Sequence, residues 1–503
     1  MSSAATTTEL SSAPAQVQQQ TQAQLQTYAG NDITTIVLDP GSYSTRIGFA
    51  GLDHPSVISE SNYAYDQDAP NVHLFEEHRI QYPKVGREVG RVIENGGVVK
   101  DFDIASKQWR FLLEKKMGIF PEADESYANL PMILTEPIWN PIENRIKSIE
   151  LILEEMKFEA MYLLQQQSSI SFAMGKPNCL IVDLGHDTCS VSPVLDGFTL
   201  ASKTKRSYLN GAFLTELFRS KLLEKSEKCD EVEGKLELIS NFEVKSKNNP
   251  FLINRFQGLT RSFRDNYNER FFIQECKELM LKCKPTVDLP GLSNGSPARS
   301  IEAPWGEPLV FKEEERYELV DQLINPDLTN LVVKTWAADH NDALKTWHND
   351  YIPVKRSTNS NATTAQSTEQ TPDIGANIVE ESSQVDVEIN DSITGLIDLI
   401  KTTIENVDID FRPTLTNNII ITGGLSYIPG LISLIQLELT KQMPSFKIRI
   451  VTQGNSAMTK ERLYQTWLGG SILGSLGSFQ QLYVGKQELE EVGVERLLKS
   501  RFR

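Results

Sequence analysis

The apolar run Ile33-Thr-Thr-Ile-Val-Leu38 ends on Asp39-Pro40-Gly41-Ser42, and Arg46-Ile-Gly-Phe-Ala-Gly51 leads away from it. Farther along, Cys179-Leu-Ile-Val182 ends on Asp183-Leu-Gly185, and the alternating run Cys189 to Leu195 returns from the turn. A short buried apolar run closed by an acid and a glycine predicts strand, turn, strand in each place. Two such units separated by about the size of one domain predict a duplicated α/β fold whose turns face one cleft.

Behind Asn140-Pro141-Ile142-Glu143, the residues Ile142, Ile146, Ile149, Leu153 and Met156 recur at helical spacing. This predicts a helix capped by Asn140, with Pro141 at its first position, packed on the first sheet. Residues 210–285 are highly charged and read as helical. A third glycine turn follows the strand-like run Asn417 to Thr422: Gly423-Gly424, then an amphipathic helix from Pro429. Backbone can approach a ligand closely there. Trp336 and Trp347, in repeated Lys-Thr-Trp, lie about three helical turns apart. They suit a partner-binding helix or one packed on its own domain.

A chain of 503 residues is too long for one core. The expected division is a disordered tail over 1–30, a first lobe over 31–173 with a small peripheral subdomain at about 60–97, and a second lobe over 174–464. The second lobe carries a helical subdomain at about 210–326 and a partly disordered insertion at 327–390; residues 465–503 return to the first lobe.

Charge narrows the classes. Fifty basic against 67 acidic side chains give a net charge of -17, which disfavours direct attraction to nucleic acid or an anionic bilayer. The five cysteines form no CxxC pair and read as reduced, buried thiols, and the absence of a leader or a long apolar run predicts a soluble intracellular protein with no membrane partner. His54, His73 and His78 lack metal-ligand spacing and are expected at the surface.

A strand that ends in Asp-x-Gly exposes successive N–H groups that wrap phosphate oxygens while the carboxylate faces the accompanying metal. Each turn taken singly is more simply an ordinary tight turn. A facing pair would clamp a polyphosphate, with Asp39 and Asp183 holding Mg²⁺ directly or through water.

The three glycine turns, in this order, resemble those of the actin superfamily, and the resemblance covers most of residues 31–503. Asp39-Pro-Gly-Ser with Arg46-x-Gly-Phe-Ala-Gly51 resembles its first phosphate loop; Leu134-Thr-Glu-Pro137, Asn140-Pro and Asn144-Arg145 resemble the segment before its central helices; Gly469-Gly-Ser-Ile-Leu to Gln481 resembles its C-terminal signature. The resemblance implies an actin fold: two α/β lobes with duplicated five-stranded sheets around a nucleotide cleft. Leu180 to Pro193 and Glu491 to Leu498 are most similar to the nuclear actin-related branch. That branch implies a nuclear scaffold in chromatin-remodelling and histone acetyltransferase complexes, acting in transcription and DNA repair. There it would pair with actin on a helix of the large ATPase or scaffold subunit, with histone contacts a further expectation and homopolymers not expected.

Position by position, the resemblance implies ATP or ADP with Mg²⁺. Asp39, Gly41, Ser42 and Arg46 would meet the phosphates and metal, with Asp183 and Gly185 opposite; Arg46 stands where the family has a lysine. Gly211, Lys277, Glu278, Gly423, Gly424 and Tyr427 would surround ribose and base, with Leu463 in place of a lysine. His186 replaces an aspartate, Asp187 a glycine and Ser190 a water-organising histidine, while Gln167 falls at a water-orienting glutamine. Slow or absent hydrolysis follows, hence a nucleotide-binding pseudo-ATPase. Phe172, Phe198, Leu473, Leu476 and Leu482 match the lining of a groove that accepts amphipathic helices. The rival readings are a polymerising cytoskeletal ATPase and an active ATPase or sugar kinase of the same superfamily.

Overall fold

The computed structural model describes residues 35–502 apart from 123–125, 227–229, 233–234, 248–251, 286–297, 341–392 and 452–459. The expected N-terminal tail, most of the expected insertion and Trp347 lie outside the described residues.

Two sheets share one plan. In the first, β1 (Ile36–Pro40) pairs antiparallel with β2 (Ser44–Phe49), which pairs with β3 (Val57–Glu60). On the other side of β1, β4 (Tyr127–Glu136) and then β5 (Phe158–Gln165) run parallel. In the second, β6 (Cys179–Leu184) pairs antiparallel with β7 (Cys189–Leu195), which pairs with β8 (Phe198–Thr199) and β9 (Lys205–Ser207). Parallel to β6 lie β10 (Ile419–Thr422) and β11 (Ile450–Val451). Five strands therefore occupy equivalent positions in each sheet. A sixth is added to each: β12 (Val484–Gly485) beside β5, and β9 beside β7.

Each central strand is buried on both faces, as parallel pairing requires. Ile36, Val37 and Leu38 are sealed in the first sheet, and Leu180, Ile181 and Val182 in the second. The C-terminal helix Gln465–Gly474 packs across β1 and against the helix Gln166–Ala173. A Cβ on Gly469 would collide with Ser169 O, so the glycine permits this close approach.

Several local expectations are corrected. Asn140 does not cap its helix: the helix Ile142–Glu150 starts behind Pro141, and the Asn140 amide donates to Glu136 Oε2 at 2.9 Å. Pro141 occupies the cap position, and Asn140 Oδ1, the atom a cap would use, meets no donor, while its amide is held by a carboxylate that is buried and paired with Arg145 at 2.8 Å. Ile142 is 45% exposed. The helix widens into a π turn over Leu151–Glu155, closed by Met156 N–H to Leu151 O, and this change of pitch turns Leu151, Ile152 and Leu153 all inward. Residues 210–285 are not uniformly helical; the pairs 230–232 with 235–237 and 244–246 with 252–253 are small hairpins between the helices. Trp336 packs on its own domain, with its ring beside Phe213 and its Nε1 donating to Tyr208 O at 2.9 Å.

The two halves meet at Trp139. Its Nε1 donates to Asn95 O of the first half at 2.8 Å, and the Arg206 guanidinium of β9 lies 4.6 Å over its ring. Val98, Ile138 and Ala201 complete this buried cluster.

Candidate glycine-turn cleft

The β1–β2 and β6–β7 turns are built alike. Gly41 N–H donates to Ser44 O at 3.2 Å, and Gly185 N–H donates to Thr188 O at 3.1 Å. A Cβ on either glycine would stand 2.8 Å from that same acceptor oxygen. Both turns close because glycine leaves the acceptor room. Gly423, at φ +87°, seats the third turn on the second: a Cβ there would strike Leu184 O and lie 2.7 Å from Asp183 Oδ1.

Asp39 is buried and fully engaged: Oδ2 takes Arg46 Nη1 at 2.9 Å and Oδ1 takes Thr135 Oγ1 at 2.6 Å. Arg46 is its cross-strand partner. Asp183, at the equivalent place, is pushed up to about 6 by burial and by the Asp39 charge, against the pull of Arg46. A carboxylate destabilised in this way is suited to a divalent cation, which would restore its charged form. Among the described residues no group of three or more His, Cys, Asp and Glu side chains could hold a metal ion. Gln167 is buried with both amide atoms unpartnered, leaving a donor and an acceptor for a small polar guest.

Gly211 opens the helix Gly211–Lys225 directly behind the second turn, donating to Gly185 O at 3.0 Å. Lys277 is buried beneath it, donating to Thr215 Oγ1 at 2.6 Å and Gly211 O at 3.4 Å; burial holds its ammonium down at about 8. Gly424 and Tyr427 form one 3₁₀ turn, with Leu463 Cδ2 3.8 Å from the Cβ position of Gly424 and the Arg462 guanidinium 4.2 Å over the Tyr427 ring. Glu278 is exposed, accepts from Gln274 Nε2 at 2.8 Å, and lines a flank cavity with Pro429.

The substituted residues of the second turn have structural partners. The His186 ring lies 5.2 Å from that of Tyr43 in the first turn, and Nε2 is 3.7 Å from Glu269 Oε1. Burial, then Arg91, Lys277 and Arg270, hold its pKa well below the usual range, so it is neutral. Asp187, raised by burial, is held by Arg91 Nη1 at 3.0 Å and by Ser42. Ser42 Oγ accepts from Gly96 N–H at 3.0 Å, and Ser190 pairs across the strands with Asp183.

Residues that sequence reasoning passed over close the cleft from the far side. Arg91 ends the small sheet made by 62–66, 69–74 and 87–91. That sheet is fastened to the helix Arg261–Asn268: Gly86 N–H to Gly258 O at 2.9 Å, Asn62 Nδ2 to Asn266 Oδ1 at 2.6 Å, Thr260 Oγ1 to Arg87 O, and Ser262 Oγ to Glu88. Arg270 stacks 3.7 Å over the Tyr43 ring and donates to Tyr43 O. No local pattern signals these pairs; only the acid in the second turn, and Thr260 and Ser262 at the start of the 261–268 helix, hint at them.

In the expected groove, Phe172 is 46% exposed, and Phe198, Leu476 and Leu482 are exposed with it. Leu473 is not. At 3% exposure it packs with Val37, Ile133 and Leu164 on the face it shares with Gly469, Gly470 and Gly474, while Ile472 and Leu476 occupy the outward face.

A model of the family described as Actin matches residues 30–502. The chain is 40% identical to Actin-related protein 4 of Saccharomyces cerevisiae, covering 96% of this chain and 99% of that one. It is 41% identical to Actin-related protein 4 of Eremothecium gossypii, covering 95% and 99%, and 31% identical to that of Schizosaccharomyces pombe, covering 93% and 97%.

Proposed function

Since the chain belongs to the actin family, we propose that it is an ATP- or ADP-binding, actin-related scaffold subunit that turns nucleotide over slowly or not at all. One observation carries this reading. The two glycine turns keep the same backbone design, while His186 and Asp187 have been drawn into contacts with Tyr43, Glu269, Arg91 and Ser42. The glycine turns that would bind phosphate keep their design, while two of the turn positions that would help order a nucleophilic water, His186 and Asp187, have other contacts; Gln167 alone keeps its amide free.

Gly41, Ser42 and Gly185 would cradle phosphate oxygens, with Arg46 supplying positive charge and Asp39 fixing its guanidinium. Asp183, backed by Asp39, would hold Mg²⁺, whose chemistry when bound is to neutralise the phosphates. Lys277 supports Gly211, and Gly423, Gly424 and Tyr427 present a flat edge to the base. The bound nucleotide would act as a ligand that joins the two halves.

The similarity to proteins named Actin-related protein 4 supports a nuclear setting in chromatin-remodelling and histone acetyltransferase complexes. There the chain would pair with actin on a helix of the large ATPase or scaffold subunit. The exposed Phe172, Phe198, Leu476 and Leu482 suit an amphipathic helix. Affinity purification from nuclear extract, run for wild type and for Leu476→Asp, tests this. Co-purification of actin and a remodelling or acetyltransferase subunit, reduced by the exposed substitution, is expected. Recovery of no chromatin proteins, ATP-dependent filaments on sedimentation, or phosphate release at the rate of filamentous actin would each overturn the reading.

A further inference from the structure

On the flank of the second half, a cavity of about 370 Å³ is lined by Glu278, Leu279, Leu281, Lys282, Arg299, Arg316 and Pro429. It holds none of the residues of the three glycine turns except Pro429, which follows the third, and its volume suits a small ligand. On a chain of net charge -17, three cations at one cavity are unexpected.

The arginines have a local task. The helix Gln274–Met280 ends here, and its last carbonyls need donors. Arg299 Nη1 donates to Leu279 O at 3.1 Å, and Arg316 Nε donates to Met280 O at 2.7 Å. That task uses a small part of what they carry. Arg316 is only 4% exposed, yet among the described residues its Nη1 and Nη2 donate to no protein acceptor. A guanidinium has five N–H donors, and Nη1 and Nη2, which are not among the buried unpaired atoms, face solvent-accessible space that a ligand could enter. Arg299 lies close enough for its charge to oppose that of Arg316. The acids nearby do not cancel the excess. Glu313 is occupied by the Tyr317 hydroxyl and stands 3.9 Å from Lys282 Nζ, and Glu278 takes the Gln274 amide at the exposed rim.

We propose that this cavity binds a phosphate monoester, with Arg316 as the fixed donor at its floor and Arg299 and Lys282 as movable donors at its mouth. A carboxylate offers two oxygens in one plane. A phosphate dianion offers three terminal oxygens, matching three cations that approach from separate elements, the 274–280 helix end, the 299–302 strand and the 313–324 helix. Leu279, Leu281 and Pro429 supply an apolar wall for the carbon part of the ligand. The same chemistry is offered by free phosphate, a small sugar phosphate or a phosphoserine side chain.

Isothermal titration of the full chain with inorganic phosphate, a hexose phosphate and O-phosphoserine, each with and without saturating Mg·ATP, tests the proposal. Binding of at least one probe is expected, weakened about tenfold by Arg299→Ala and by Lys282→Ala and unchanged by Mg·ATP. The preferred probe identifies the source of the phosphate. Arg316→Lys, which retains one charge but loses the fork, should weaken binding while circular dichroism and the melting temperature report an intact fold. No heat with any probe, an affinity indifferent to all three substitutions, or competitive displacement by ATP would overturn it.

Discussion

Arg91 Nη1 stands 3.0 Å from Asp187 Oδ1, joining residues 96 positions apart: one ends the small peripheral sheet, the other sits in the second glycine turn. Asp187 also reaches Ser42 of the first turn, so this pair binds three parts of the molecule around the cleft.

Replacing Arg91 by Ala should therefore act on the cleft without disturbing a core. Burial already raises the Asp187 pKa, and losing the guanidinium raises it further. At pH 8 the uncompensated carboxylate would repel phosphate beside Ser42, weakening nucleotide binding about two- to fivefold, as befits a partly exposed pair. As the pH is lowered, the raised carboxyl takes up a proton sooner than an ordinary aspartate and the difference should close. Fluorescent-nucleotide titrations over a descending pH series measure it.

Asp183 predicts a distinct pH dependence. Its carboxyl titrates at about 6 in the fold and near the ordinary 3.8 when unfolded, so the native state binds the proton more tightly. Without a divalent cation, stability should fall as pH rises from about 4 past 6, by up to roughly 2–3 kcal/mol. Asp183→Asn should flatten that slope in chelator. Thermal melts across pH 4–8 decide the matter, and a slope equal in the two proteins contradicts the assignment.

Gly423 tolerates no side chain. Gly423→Ala sets a Cβ into Leu184 O at a left-handed backbone angle and should cost roughly 2–4 kcal/mol. Gly477→Ala, with open space around it, should change stability by less than about 0.5 kcal/mol. Urea titrations of the two variants give the comparison.

Ser262 accepts from Val89 N–H at 3.1 Å and donates to Glu88, so Ser262→Ala releases two fasteners of the small sheet at once. Faster amide exchange confined to residues 62–91, with the two central sheets unchanged, is the expected outcome by hydrogen-exchange mass spectrometry. A quicker release of bound nucleotide should accompany it.

The duplicated plan was legible because its evidence is local. A strand buried on both faces and a glycine at its end are written within a dozen consecutive letters, twice. The side-chain roles were less so. Asn140 reads as a cap, but Glu136 at the end of β4, itself paired with Arg145 of the following helix, takes the Asn140 amide, and Pro141 takes the cap position. Leu473 reads as groove lining, yet the glycines at 469, 470 and 474 mark its face as the one packed inward, on the 166–173 helix and the first sheet. Pairs such as Asn62 with Asn266 have no signature at all, since their partners are chosen by how the halves close.

Trp139 offers something further. Trp109, Trp305 and Trp467 each sit within a single core, whereas the Trp139 indole is held by a carbonyl from one half and a guanidinium from the other. A cation over the ring bears on emission, and Arg206 would leave the ring if the halves swung apart, while the indole N–H stays on Asn95 O of its own half. The protein thus carries its own optical gauge of aperture, readable without a label.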